Sequence, residues 1–199
     1  MFQVRIHGRG GQGVVTAAEL LSIAAFGEGR HAQAFPSFGS ERMGAPVMAF
    51  CRIDEREIRL REPVMNPDAL IIQDPTLLHQ VDLFRGLAPS GFILINSSRS
   101  FHELGLQDFV SGFPADHLCT VPASDLALEH VGRSVPNAPL LGGFAAICGH
   151  VRIDSVTTAI RERFTGRTGE LNAAAARAAY DRVVRQRTQA QSDADHAHA

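Results

Sequence analysis

Four glycines fall within six positions between a strand-like run and a helix-like one, and no other stretch restricts the fold of this 199-residue chain so tightly. Phe2-Gln3-Val4-Arg5-Ile6 alternates like a strand, His7-Gly8-Arg9-Gly10-Gly11-Gln12-Gly13 is a glycine turn, and Val14-Val15-Thr16-Ala17-Ala18-Glu19-Leu20-Leu21 opens a helix. Glycines admit positive φ angles and leave no side chain between backbone and ligand, so several N–H groups can converge on an anion. The positive end of the following helix faces the same point. Gly8, Arg9, Gly10, Gly11, Gln12 and Gly13 are therefore candidates for holding a phosphate or pyrophosphate, with the Arg9 guanidinium as a fork for its oxygens. The alternative is a tight strand-to-helix connection with no ligand.

Two familiar nucleotide sites are disfavoured. Gly8, Gly10 and Gly13 satisfy the G-x-G-x-x-G spacing, but the acidic residue that should follow about twenty positions later is missing. The chain there reads Gly29-Arg30-His31-Ala32-Gln33-Ala34-Phe35-Pro36. A phosphate-loop NTPase is excluded because the chain contains no lysine.

Beyond the turn, strands and helices alternate. Val47–Ile53 and Glu57–Leu60 read as two strands around the polar turn Asp54-Glu55-Arg56, an antiparallel hairpin. Ala69–Gln73, Phe92–Asn96 and Leu118–Val121 are short apolar runs of buried-strand type. Helical patterns cover Pro75–Phe84, Ala123–Val131, Pro139–Cys148, Asp154–Phe164 and Glu170–Arg187. This order predicts an α/β fold, a three-layer α/β/α domain with a mostly parallel sheet and one antiparallel hairpin. Residues 1–185 form the single domain; the segment 186–199, rich in Gln, Ala, Asp and His, is expected to be a flexible tail.

Composition narrows the class. Nineteen basic residues against 21 acidic ones give a net charge of -2, so no global basic field points to nucleic acid or an anionic membrane, and any anion site must be local. No apolar run is long enough to span a bilayer and no leader pattern is present, so a cytoplasmic protein is expected. Cys51, Cys119 and Cys148 lie far apart with no C-x-x-C pair, which predicts reduced, buried thiols and no iron–sulfur cluster on this chain. His196 and His198 alternate in the tail, too little to predict a metal site, and none is expected. His7 is the one histidine beside the predicted ligand, no Ser-His-Asp or Cys-His set can be assembled, and no G-x-S-x-G elbow occurs.

A second block bears on the same anion. Phe35-Pro36-Ser37-Phe38-Gly39 reads as a surface loop with an apolar face. Ser40-Glu41-Arg42-Met43-Gly44-Ala45-Pro46 then places a hydroxyl, a guanidinium and a glycine together, so that Ser40, Arg42 and Gly44 can approach a phosphate from another direction, with Glu41 orienting Arg42. Alternatively, Arg42 caps a helix or pairs with Glu41 at the surface. Asp74-Pro75 is a helix start, with Asp as N-cap and Pro at N1. Asn96-Ser97-Ser98-Arg99 follows a strand at the ligand-binding edge of such sheets and is a secondary candidate. Asn137 either caps the helix near Pro139 or reaches the nucleotide.

His7–Ala18, Gln33–Val47 and Asn137-Ala138-Pro139-Leu140-Leu141-Gly142-Gly143-Phe144, in that order and separation, resemble the gamma subunit of the 2-oxoacid:ferredoxin oxidoreductases, and the resemblance runs from about Phe2 to Phe164. It implies a subunit, not competent alone, of a complex that oxidatively decarboxylates a 2-oxoacid to acyl-CoA. It implies that this chain contributes to the coenzyme A site, while thiamine diphosphate, Mg and [4Fe-4S] clusters sit on partner subunits. The implied partners are alpha, beta and ferredoxin-like delta subunits, with ferredoxin or another electron acceptor. The chain departs from the family pattern at Met43, where a second arginine often follows Arg42, which makes the anion site less basic. An architectural subunit without cofactor contact, or a relative serving indolepyruvate or another aryl 2-oxoacid, remains open on the same residues. If Arg42 holds a phosphate of coenzyme A, losing that charge-assisted contact of about 1.5–3 kcal/mol raises the Michaelis constant about tenfold to hundredfold in Arg42→Ala. An unchanged constant removes Arg42 from the site.

Overall fold

A computed structural model describes residues 1–37 and 43–197, with side chains described up to 189. Six strands, β1 (Phe2–Arg9), β2 (His31–Pro36), β3 (Pro46–Asp54), β4 (Ala69–Ile72), β5 (Phe92–Asn96) and β6 (Leu118–Val121), form one sheet in the order β2-β3-β1-β4-β5-β6. β1, β4, β5 and β6 run parallel, and β3 lies antiparallel between β2 and β1. Five strands therefore share one direction.

The expected hairpin is replaced by another antiparallel pair. Val47–Ile53 does form the core of β3, but both its edges are occupied, by β1 and β2, so Glu57–Leu60 finds no edge to pair with and stays irregular. That segment is held instead by the buried Arg52, whose guanidinium donates to the carbonyls of Leu60 and Glu62. His31–Pro36 is the edge strand β2, so Phe35 and Pro36, expected in a loop, belong to the sheet; Pro36 sits at its end, and Ser37 N–H carries the ladder one bond further to the Met48 carbonyl at 2.9 Å.

Helices α1 (Val14–Gly27), α4 (Asn137–Cys148), α5 (Ile153–Arg163) and α6 (Gly166–Ala197) cover one sheet face, and α3 (Ala123–Val131) packs on α6. Val4, Ile6, Cys51, Ile71, Leu94 and Val121 point into that layer. The opposite face is covered more thinly. Ile72, Ile93 and Ile95 meet Leu77, Leu83, Leu104 and Val110 from short turns and from α2 (Gln107–Val110). The helix expected over Pro75–Phe84 is a short 3-10 turn, Pro75–His79, started by Asp74 as predicted. It goes no further because the carbonyls of Leu83 and Arg85 turn toward the buried Arg5 guanidinium, at 2.8 and 2.7 Å. The last helix begins at Gly166 and runs to Ala197, longer than the span Glu170–Arg187 read from its pattern.

The three cysteines are free and buried, and burial pushes each thiol up to about 12. Almost every residue of α4 is buried, between the sheet and α6. Gly142 makes this sandwich possible, since a Cβ there would collide with the Ala176 backbone of α6. Gly142→Ala should accordingly lower stability by about 1–3 kcal/mol through overpacking. Gly112→Ala, at a site with open space around it, should change little; equal melting temperatures for the two variants would contradict the packing account.

Candidate functional site

β1 delivers the chain to the carboxyl edge of the sheet, where the glycine turn reverses it into α1. The turn is clipped to a neighbouring segment by Gly10 N–H to Ala45 carbonyl (2.9 Å) and Gly44 N–H to Gly10 carbonyl (3.1 Å). Gly11 and Gly13 have φ of 94° and 73°, the left-handed region where a side chain is strained. Gly8 is required for packing, because a Cβ there would stand 2.7 Å from Val14 Cγ2. Gly13 caps α1 with no side-chain bond, so the first N–H groups of the helix stay available.

The N-terminus of α4 converges on the same point. A Cβ on Gly13 would lie 2.6 Å from Asn137 Nδ2. Asn137 is 4% exposed; its Oδ1 accepts from Ala138 N–H at 2.8 Å, while Nδ2 has no partner among the described residues. Asn137 is the first residue of α4 and not its cap, which is Pro136, and its side chain faces the turn. Gly11, Gly13, Thr16, Arg133, Asn137 and Thr168 line a cleft of about 280 Å³ here. Arg133 is exposed; its carbonyl accepts from Val135 N–H, while its guanidinium makes no ion pair or hydrogen bond among the described residues. Two helix N-termini, a free amide and a free guanidinium make this cleft suited to a phosphate.

The other predicted residues divide. Arg9 faces inward: Nη1 donates to Gly44 carbonyl, Nη2 to Thr76 Oγ1 and Gln80 Oε1, and Nε lies 3.2 Å from Asp74 Oδ2. Its fork is committed to the protein. Gln12 is likewise bound, with Oε1 accepting from Arg9 N–H and Nε2 donating to Asp74. Burial works to raise the Asp74 carboxyl, but hydrogen bonds from Thr76 and Gln12 and the charge of Arg9 hold it below its ordinary value, so it is ionised. Gly10 and Gly44 act through their backbones, and Gly44 has φ 77°. Ser40 and Arg42 lie outside the described residues.

Thr16, Arg133 and Thr168 were not singled out from sequence. The available signal was Gly132-Arg133-Ser134-Val135-Pro136, a basic residue in a loop that ends on a helix start. Within the secondary candidate Asn96-Ser97-Ser98-Arg99, Asn96 is a structural clamp: Nδ2 donates to Gln73 carbonyl and Ser124 Oγ, and Oδ1 accepts from Ser124 N–H.

His7 sits on the opposite sheet face, and its Nε2 accepts from Arg5 Nε at 3.0 Å. Burial, then the Arg5 charge, push it down to about 3. It is neutral and structural. Above its ordinary value of 6.5 it is neutral folded or unfolded; between 6.5 and about 3 only the unfolded chain takes the proton. Stability should therefore fall as pH drops through that window, by at most about 1.4 kcal/mol per pH unit from this group. Chemical unfolding from pH 7 to 4 checks this: His7→Gln should show a shallower dependence than the wild type, and identical slopes would disprove the assignment.

Fold and cleft define an open α/β domain built around a glycine turn at the carboxyl edge of its sheet. The chain belongs to the pyruvate ferredoxin/flavodoxin oxidoreductase family, whose model matches residues 3–182, and it groups with the gamma-type subunits. It is 47% identical over 187 residues to pyruvate synthase subunit PorC of Methanothermobacter thermautotrophicus, covering 94% of this chain and 98% of that one. It is 46% identical over 183 residues to the pyruvate/ketoisovalerate oxidoreductases common subunit gamma of Pyrococcus abyssi, covering 92% and 97%. The crystal structure of pyruvate oxidoreductase subunit PORC from Thermotoga maritima superposes with a TM-score of 0.76 at 34% identity, covering 90% and 95%. Among the described residues no helix is long and apolar enough to cross a membrane, and no His, Cys, Asp and Glu side chains cluster as a metal site.

Proposed function

We propose that this chain is the gamma subunit of a complex that oxidatively decarboxylates a 2-oxoacid to acyl-CoA and CO₂, passing electrons to ferredoxin or another acceptor, and that the cleft between α1 and α4 holds a phosphate of coenzyme A. The observation that carries the reading is the convergence of two helix N-termini, the Asn137 amide and the Arg133 guanidinium on one cleft in a chain that matches gamma subunits over nearly their whole length. Thiamine diphosphate with its Mg and [4Fe-4S] clusters would supply carbanion and electron-transfer chemistry from alpha, beta and delta partners. The separated, buried cysteines of this chain do not suit cluster ligation. A cytoplasmic location accords with that chemistry.

The work of this chain is positioning. The Asn137 amide and the Arg133 guanidinium, beside the turn at Gly11 and Gly13, hold the anionic end of coenzyme A, which confines the thiol and makes its attack on the acyl group nearly intramolecular. Remote binding energy is thereby used to lower the barrier.

Arg133→Ala and Asn137→Ala should each raise the Michaelis constant for coenzyme A in the assembled complex about tenfold or more, as expected for losing a contact of about 1.5–3 kcal/mol to a charged group. Both should leave the constant for the 2-oxoacid unchanged. One observation favours the architectural alternative: Arg9, the cation beside the turn, is committed to Gly44, Thr76, Gln80 and Asp74. Unchanged coenzyme A constants in both variants would select that alternative.

A further inference from the structure

We infer that Asp74 is a positioning residue of the cleft between α1 and α4, acting through Arg9 and Gln12 to fix the glycine turn against the segment that opens β3. The inference rests on the coenzyme A reading of that cleft and adds to it the residues that set the shape of the binding groove.

Three stretches of chain meet at this carboxylate. Asp74 follows β4, Arg9 and Gln12 belong to the turn, and Gly44 precedes β3. Asp74 Oδ1 accepts from the Thr76 N–H at 2.9 Å and from the Thr76 hydroxyl at 2.5 Å, while Oδ2 accepts from Gln12 Nε2 at 2.8 Å and faces Arg9 Nε at 3.2 Å. Oriented in this way, the Arg9 guanidinium donates from Nη1 to the Gly44 carbonyl at 3.0 Å. Gln12 accepts the Arg9 N–H through Oε1 at 2.8 Å, and its own N–H donates to the Arg9 carbonyl at 3.0 Å. Side chain and backbone of Gln12 thus close the turn from both sides.

The network fixes one wall of the groove. A hollow of about 330 Å³, bounded by Gly10, Val15 and Val47, shares Gly11, Gly13 and Thr16 with the cleft that carries Asn137 and Arg133. The two hollows meet along the turn. Their common width follows from the distance between the turn and the start of β3, which is set by the link from Asp74 through Arg9 to Gly44 and by the backbone bonds of Gly10 to Ala45 and of Gly44 to Gly10. A partly buried ion pair contributes little net stability, because desolvating its charges offsets their attraction. Its effect is geometric, holding the groups that meet the ligand in one arrangement before the ligand arrives.

Steady-state kinetics of the complex, purified from hosts carrying each variant, test the role. Asp74→Asn and Arg9→Lys should each raise the Michaelis constant for coenzyme A about threefold to tenfold, as for losing one hydrogen-bonded link, with the effect falling on KM more than on kcat and the constant for the 2-oxoacid unchanged. Asp74→Asn keeps the size of the side chain but turns an amide nitrogen toward donors, and Arg9→Lys keeps the charge but not the planar fork that reaches Gly44, Thr76 and Gln80 together. Because Asp74 and Arg9 act as one link, the double variant should be no worse than the poorer single one, whereas Asp74→Asn combined with Arg133→Ala should multiply the two effects. A constant that falls in Asp74→Asn overturns the inference, since Arg9, once released, would then bind the phosphate itself. Constants unchanged in Asp74→Asn and Arg9→Lys but raised in Arg133→Ala overturn it and leave the cleft reading standing. A kcat that drops with the coenzyme A constant unchanged makes Asp74 a residue of the fold alone. Constants unchanged in Arg133→Ala and Asn137→Ala as well remove the cleft reading, and the inference with it.

Discussion

Close backbone approach at three glycines determines how this domain can be assembled. Gly8 lets α1 rest against the end of β1, Gly13 lets the start of α1 meet Asn137 at the start of α4, and Gly142 lets α4 sink between the sheet and the backbone of α6. A methyl group at any of them would separate two layers. The same approach sets the two helix N-termini side by side, so tight packing and the concentration of positive potential at the cleft have one cause.

Around that junction the polar groups fall into two sets. Asp74, Arg9, Gln12, Thr76 and Gln80 satisfy one another and stiffen the turn. Asn137 and Arg133, lining the cleft, keep bonding capacity unspent. A charged residue beside a glycine turn is thus not necessarily a ligand contact. Arg9 has the right neighbours in sequence, but Thr76 and Gln80, 67 and 71 residues away, meet its guanidinium first.

Much of the fold was legible in the residues for a physical reason: β4 and most of β5 are apolar runs buried on both faces, β6 alternates half-buried with buried residues, and α3, α4 and α5 follow with helical spacing. β2 was not, because His31-Ala32-Gln33-Ala34-Phe35-Pro36 lacks β-branched residues and its strand character comes from pairing with β3. Glu57–Leu60 has the alternation of a strand but no free edge, a fact of topology invisible in a local window. The site was half legible. The glycine turn and Asn137 announce themselves by spacing, whereas Arg133 depends on how the loop before α4 folds back, and the commitment of Arg9 depends on neighbours distant in the chain.

Arg5 and Arg52 reach loops through main-chain carbonyls, Arg5 those of Leu83 and Arg85 and Arg52 those of Leu60 and Glu62. A carbonyl is present whatever side chain its residue carries. These two loops are therefore anchored in a way that does not depend on their own amino acids, apart from the buried Leu83. Their path across the sheet face can persist while their outward chemistry drifts, so related subunits can acquire different surfaces there without rebuilding the domain beneath.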